Sequence, residues 1–179
     1  MQSFCGEVVL VSPAKEHEQQ YYAMLSEWKE ADENFIPGTT IKPSEEDYDS
    51  LLKILESYKN RETCPPHYVT SDMYFLIDNF KKIVGIASLR HYLNETLSIR
   101  GGHIGYWIHP SERRKGYAKI ILRLTLEKCR GYAIERVLIT CSKSNIASVK
   151  TIIANGGVLE SEAVDEKCDV FQRYWIEIE

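Results

Sequence analysis

The chain has 179 residues, 44% of them hydrophobic and 27% charged, which fits one soluble globular domain over 1–179 with a sizeable buried core and leaves little room for two. Its longest apolar runs are strand-sized and no basic-then-apolar export pattern opens it, so a cytoplasmic protein without membrane contact is expected. The net charge of −4 divides unevenly: residues 1–70 hold 6 Lys/Arg against 13 Asp/Glu and residues 71–179 hold 16 against 13, with no basic stripe of the kind nucleic acid requires.

The run GEVVLVSP predicts a first strand ended by Pro13, and residues 14–30 predict a helix with Tyr21, Tyr22, Leu25 and Trp28 on one face. After the turn-rich stretch NFIPGTTIKP, Ser44 with Asp47 three residues on resembles an N-cap for a helix through Tyr48, Leu51, Leu52, Leu55 and Tyr58. DMYFLID and KIVGIASLRHY then read as an antiparallel pair, NETLSIRGG as a turn, and HIGYWIHP as a further strand. A helix over residues 114–130 follows, with Ile120, Ile121, Leu124 and Leu126 apolar and Gly131 as its stop. ERVLITC reads as a buried strand, SNIASVKTIIANGG as a short helix begun by Ser144 or Asn145 and stopped by Gly156, and VLESEAV and DVFQRYWIEI as closing strands. The order predicts an α/β fold: a mixed, mostly antiparallel sheet with helices on both faces.

The most telling stretch is HIGYWIHPSERRKGYA, residues 103–118, where an apolar strand stops at Pro110 and delivers three cations and a glycine into a helix. Backbone N–H groups at a helix start lack intrahelical partners and sit in the positive end of the dipole, so this junction suits a pyrophosphate. Gly116 lets the chain come close, and Arg113, Arg114 and Lys115 supply charge around the rim.

Arg113, Gly116 and Ala118 fit the pattern Arg/Gln-x-x-Gly-x-Gly/Ala, preceded by Ile108-x-Pro110 and followed by Asn145-x-x-Ser148 with Gly156. In this strand-to-helix setting the chain resembles the GCN5-related N-acetyltransferase (GNAT) superfamily over roughly Asp72 to Glu179, and LRHYLN, GGHIGYWI, NGG and RYWIEI resemble one bacterial branch of predicted acetyltransferases. The resemblance implies a single-domain GNAT fold, its sheet splayed at the cofactor site between the strands ending at His109 and Cys141, with acetyl-CoA as co-substrate and no metal. It further implies that main-chain groups near Trp107 and Ile108 bond the pantetheine and acyl carbonyl, that amides over residues 114–118, including Tyr117 and Ala118, hold the pyrophosphate, and that Asn145 and Ser148 face the pantetheine. A plain helix cap is the alternative reading of Asn145.

The implied reaction is acetyl transfer from acetyl-CoA to a primary amine by direct attack in a ternary complex. Where much of the superfamily carries a carboxylate base, this chain has His103, whose ordinary pKa near ~6.5 suits the role; a strand-end histidine bonded to the backbone is the alternative. Where the superfamily often has a tyrosine to protonate the thiolate, seven residues after the asparagine, this chain has Ile152. Tyr117, Tyr106 and Tyr174 are the neighbouring replacements, level with water or the incoming ammonium. Cys5, Cys64, Cys129, Cys141 and Cys168 are scattered without paired spacing, and Cys141 reads as a buried thiol rather than an acyl carrier.

Arg90, His91 and Asn94 form a polar cluster that either orients the acceptor or caps a turn, and the resemblance implies that the insert over residues 34–67 covers the acceptor side, with Phe35, Tyr48 and Tyr68 as candidate pocket aromatics. The acidic first half favours a cationic small molecule, with a protein amine as the other acceptor class. Pairing of two copies through RYWIEI and a monomer are both compatible with the pattern. The rival to an enzyme is a non-catalytic module that senses CoA or acyl-CoA.

Overall fold

The computed structural model describes residues 7–30 and 47–178, without the side chains of Lys29 and Glu30. Four strands, β1 (Val8–Val11), β2 (Ser71–Asp78), β3 (Ile83–Arg90) and β4 (Ile104–Ile108), form one antiparallel sheet in that order. Three more, β5 (Arg136–Ser142), β6 (Val158–Val164) and β7 (Val170–Glu177), form a second antiparallel sheet in the order β5-β7-β6. β2 and β3 are buried almost end to end, which explains their unbroken apolar composition: both of their faces are covered.

One face is covered by α1 (Glu18–Glu30) and α2 (Tyr48–Ser57), whose Tyr21, Met24, Leu25, Trp28, Leu51 and Leu55 pack on Met73, Phe75, Ile86 and Trp107. The expected stripe on the first helix forms, except that Tyr22 is partly exposed and accepts the Tyr48 N–H at its hydroxyl, 3.0 Å. Asp47 caps α2, taking the amides of Asp49 and Ser50 at 3.3 and 3.0 Å, a role available to it because its extended backbone leaves the carboxylate over the first turn. Ser44, Phe35 and Cys5 lie outside the described residues. Tyr48 is fully buried in this layer and donates to the Ala14 carbonyl at 2.9 Å, whereas Tyr68 is an exposed loop residue that packs edge-on against Tyr58.

The other face is covered by α4 (Tyr117–Cys129) and α5 (Ile146–Ile153). On α4 the buried positions Tyr117, Ile121, Leu122, Thr125 and Cys129 recur at helical spacing. Two expectations are corrected here. The helix begins at Tyr117 and not at Arg114, because Arg114 (φ +65°) and Gly116 (φ +93°) both take left-handed backbone. Its end passes into a 3-10 turn over Arg130–Tyr132, and Ala133 (φ +53°), not Gly131, reverses the chain. The stretch read as a turn before β4 holds a short helix, α3 (Glu95–Ile99), capped by Asn94, whose side-chain oxygen takes the Leu97 amide at 2.9 Å.

The two sheets meet at the start of β4. Gly102 bridges to Ile139, and its left-handed backbone (φ +66°) lies so close to β5 that a Cβ there would stand 2.2 Å from the Leu138 carbonyl oxygen. Beyond that point β4 and β5 share no ladder among the described residues. The seven strands therefore open as a V whose vertex is at Gly102 and His103.

Candidate active site

The backbone of β4 decides what the V presents. Arg90 N–H donates to the His103 carbonyl (2.8 Å) and His109 N–H donates to Val84 (3.0 Å), which turns the odd-numbered residues of β4 toward β3. Antiparallel pairing alternates, so Ile104, Tyr106 and Ile108 direct their N–H and C=O groups into the opening. Trp107 also lines the cavity that follows, but its main chain belongs to the β3 ladder opposite Ile86 and its ring packs on Trp28 at 5.1 Å, so only the expected main-chain role is corrected.

The opening leads into a cavity of about 760 Å³ whose walls include Tyr106, Ile108, Arg113, Gly116, Asn145 and Ser148. That volume is in the range of sites that take a drug-sized or cofactor-sized molecule. At one end α4 points its N-terminus into the cavity, with Arg113, Arg114, Tyr117, Ala118 and Lys119 around it. Gly116 has nothing within 4 Å of where a Cβ would lie; its residue type is required by the left-handed turn and by the space it leaves above the helix. Arg113 anchors the loop by donating from Nε to the Ile108 carbonyl at 3.2 Å. Lys115 is not in the cavity wall; its Nζ rests on Glu112 at 2.7 Å.

At the other side α5 brings Asn145 and Ser148. Asn145 caps the helix through the Ser148 amide (3.0 Å) and also lines the cavity, so the two roles read from sequence coexist. The Ser148 hydroxyl shares a 2.9 Å hydrogen bond with the Tyr106 hydroxyl, whose pKa burial pushes up to about 12. Of the three tyrosines expected near the thiol, Tyr106 and Tyr117 line the cavity; Tyr174 lies in the core with its hydroxyl on Gln172, 2.7 Å. Burial likewise raises the Cys141 thiol, away from nucleophilic use.

His103 stands at the vertex rather than in the cavity wall. Its backbone N–H donates to the Leu138 carbonyl at 2.7 Å, and its ring Nδ1 accepts the Leu138 N–H at 3.0 Å. Burial, with a smaller contribution from the charge of Arg90, pushes its pKa down to about 4. A base needs a lone pair facing its substrate and a pKa near the working pH; the Nδ1 lone pair of His103 is committed to Leu138.

Arg90, His91 and Asn94 are not gathered at one site. The Arg90 guanidinium is buried and donates to the carbonyls of Gly102 (2.9 Å) and Gly101 (3.3 Å), bracing the vertex. His91 pairs with Asp72 (2.9 Å) and stacks on Tyr132, and Asn94 caps α3. The cavity residues that sequence reading passed over are Glu112, Lys119, Ala147 and Thr151. Glu112 carried a visible signal, as an acid directly before three cations.

A separate depression of about 800 Å³ lies between α4 and the β6–β7 pair. Most of its charges are in ion pairs, Arg123 with Glu127 at 3.0 Å, Arg136 with Glu177 at 2.7 Å and Glu160 with Arg173 at 2.7 Å. Among the described residues no helix is long and apolar enough to cross a membrane.

A family model described as an acetyltransferase (GNAT) domain matches residues 7–158. No curated protein sequence gives a significant match. Similar solved structures include the microcin C7 self-immunity acetyltransferase MccE in complex with acetyl-CoA and AMP, at TM-score 0.68 and 20% identity over 96% of this chain and 93% of that one. The spermidine N-acetyltransferase of Vibrio cholerae, in complex with CoA and spermine, superposes at TM-score 0.65 and 15% identity over 96% and 95%. The protein yncA of Salmonella typhimurium, with acetyl-CoA, does so at 0.64 and 12% over 96% and 94%.

Proposed function

From the premise that this chain belongs to the GNAT acetyltransferase family and is an acyltransferase, we propose that all of residues 1–179 form one domain that transfers the acetyl group of acetyl-CoA to a primary amine by direct attack in a ternary complex. The observation that carries the reading is the cavity on the open side of β4, which runs from gap-facing backbone at Tyr106 and Ile108 to the cationic N-terminus of α4 and is closed on its other side by the start of α5. Strand-like backbone bonding suits an extended amide chain, and a helix start flanked by Arg113 and Arg114 suits a diphosphate. Asn145 and Ser148 flank the chain between them. Membership of the family sets aside the reading as a non-catalytic CoA sensor.

Bound acetyl-CoA supplies the activated acyl group. The residues of this chain orient it, polarise its oxygen through the gap-facing Ile108 N–H, and keep it between two walls. Tyr106, at about 12, lies roughly 3 units above a thiol of ordinary pKa, so it holds its proton and serves as a hydrogen-bond donor to sulfur rather than as an acid. With Nδ1 of His103 committed to Leu138, the acceptor ammonium releases one proton to solvent before attack, the nitrogen loses a second as the C–S bond breaks, and the departing thiolate takes its proton from water.

The spermine and AMP in complex with two similar structures, at 15% and 20% identity, belong to those proteins; they recommend a broad acceptor panel. Release of CoA thiol from acetyl-CoA is to be followed with a polyamine, an amino sugar, an amino acid and a peptide N-terminus. Amine-dependent release that the Arg113→Ala variant loses supports the function. Release equal with and without every amine, by a folded protein that binds acetyl-CoA, contradicts it.

A further inference from the structure

The loop that carries the cations also carries one anion. Glu112 is 9% exposed and lines the cavity beside Arg113 and Gly116, where a carboxylate opposes any phosphate. Two lysines neutralise it from opposite oxygens: Lys115 Nζ at 2.7 Å from Oε2 and Lys82 Nζ at 3.2 Å from Oε1. The Ser111 hydroxyl donates to the same Oε1 at 3.3 Å. Burial works to raise the Glu112 pKa, and the hydrogen bonds from Lys115 and Lys82 more than offset it, so the group stays ionised.

The two lysines differ in what holds them. Lys115 sits on the loop itself, two residues from Arg113. Lys82 arrives from the turn between β2 and β3, where the Asp78 carboxylate takes the Phe80 and Lys82 amides, each at 2.9 Å. Its Nζ is also 3.3 Å from Glu27 on α1 and 3.2 Å from the Ser111 hydroxyl. Lys82 is thus pinned on a scaffold outside the loop, whereas Lys115 is free to follow the loop.

We propose that Lys82 is an affinity-determining positioning residue for the diphosphate of the ligand: it keeps Glu112 neutralised, so that Lys115 can exchange Glu112 for phosphate oxygens. The inference rests on the acetyl-CoA reading of the cavity. Without Lys82, either Lys115 stays on Glu112 or an uncompensated carboxylate faces the phosphates, and each weakens binding.

The test is calorimetric titration of acetyl-CoA into the wild type and the variants Lys82→Met, Lys82→Arg, Glu112→Gln and Lys82→Met/Glu112→Gln. We expect Lys82→Met to weaken binding about tenfold, the effect of one charge at about 10 Å in a partly screened site. Adding Glu112→Gln should restore affinity to within about threefold of the wild type, and Lys82→Arg should retain it. A merely structural lysine gives no such rescue, because Glu112→Gln does not rebuild the lost ion pairs. Binding by the wild type with no loss in Lys82→Met, or a loss that Glu112→Gln leaves unchanged, overturns this inference alone. Absence of wild-type binding overturns the cofactor site itself and this inference with it.

Discussion

His103 holds Leu138 at two points, its backbone N–H on the Leu138 carbonyl at 2.7 Å and its ring Nδ1 on the Leu138 N–H at 3.0 Å. One residue thereby does the work of a strand pair and joins the two sheets where the V closes. Burial keeps the ring neutral, with a pKa of about 4 against an ordinary ~6.5. Between those values the unfolded chain binds a proton that the folded chain does not. Stability is therefore fully present above ~6.5 and lost as the pH falls toward 4. His103→Gln keeps an oxygen for the Leu138 amide and removes that titration. On going from pH 7 to pH 5, denaturant unfolding should cost the wild type about 2 kcal/mol more than the variant. Equal losses would show that the ring is not clamped.

Gly102, ahead of β4, and Gly116, at the cap of α4, differ in what they protect. Gly102→Ala drives a Cβ into the Leu138 carbonyl and should lower folding stability by ~2–4 kcal/mol through displacement of the vertex. Gly116→Ala meets no neighbour and should cost only ~1 kcal/mol for its left-handed backbone, with its main effect on acetyl-CoA affinity. Thermal unfolding and titration of both variants separate the two; equal stability losses contradict the assignment.

Tyr106→Phe removes the cavity hydroxyl that shares a hydrogen bond with Ser148. Turnover should fall about tenfold while acetyl-CoA affinity stays within about twofold, the pattern of a contact that gains strength as charge develops on sulfur. Unchanged kcat would assign the tyrosine to packing.

Cys141 has its thiol raised by burial. Cys141→Ala should leave turnover within about twofold, and acetyl-labelled substrate should leave no label on the denatured wild-type protein. Retained label on Cys141 would replace direct attack by a covalent route.

Much of this was legible in the sequence because the signals are local. The strand, proline, cation and glycine order over residues 103–118 marks the phosphate end, and Asn145 before an apolar helix marks the opposite wall. What stayed hidden depends on partners far along the chain. Nothing near His103 announces that Leu138 will meet its ring, and nothing near Arg90 announces the Gly101 and Gly102 carbonyls. The helix start misplaced at Arg114 has a local cause: a non-glycine residue at φ +65° leaves no mark in composition. Lys115 looks like a rim cation in sequence because its pairing with Glu112 leaves no mark in composition, and the second partner of Glu112, Lys82, comes from a turn 30 residues earlier.

The central claim, that the V between β4 and β5 is the acetyl-CoA site, is tested most directly by calorimetric titration of acetyl-CoA into the wild type and Gly116→Trp. A Cβ there meets nothing within 4 Å, so the main structural cost is the left-handed backbone, about 1 kcal/mol, and the indole should occupy the place above the helix start. Wild-type binding that Gly116→Trp abolishes is the predicted result. Equal binding by both, or none by the folded wild type, would contradict the account.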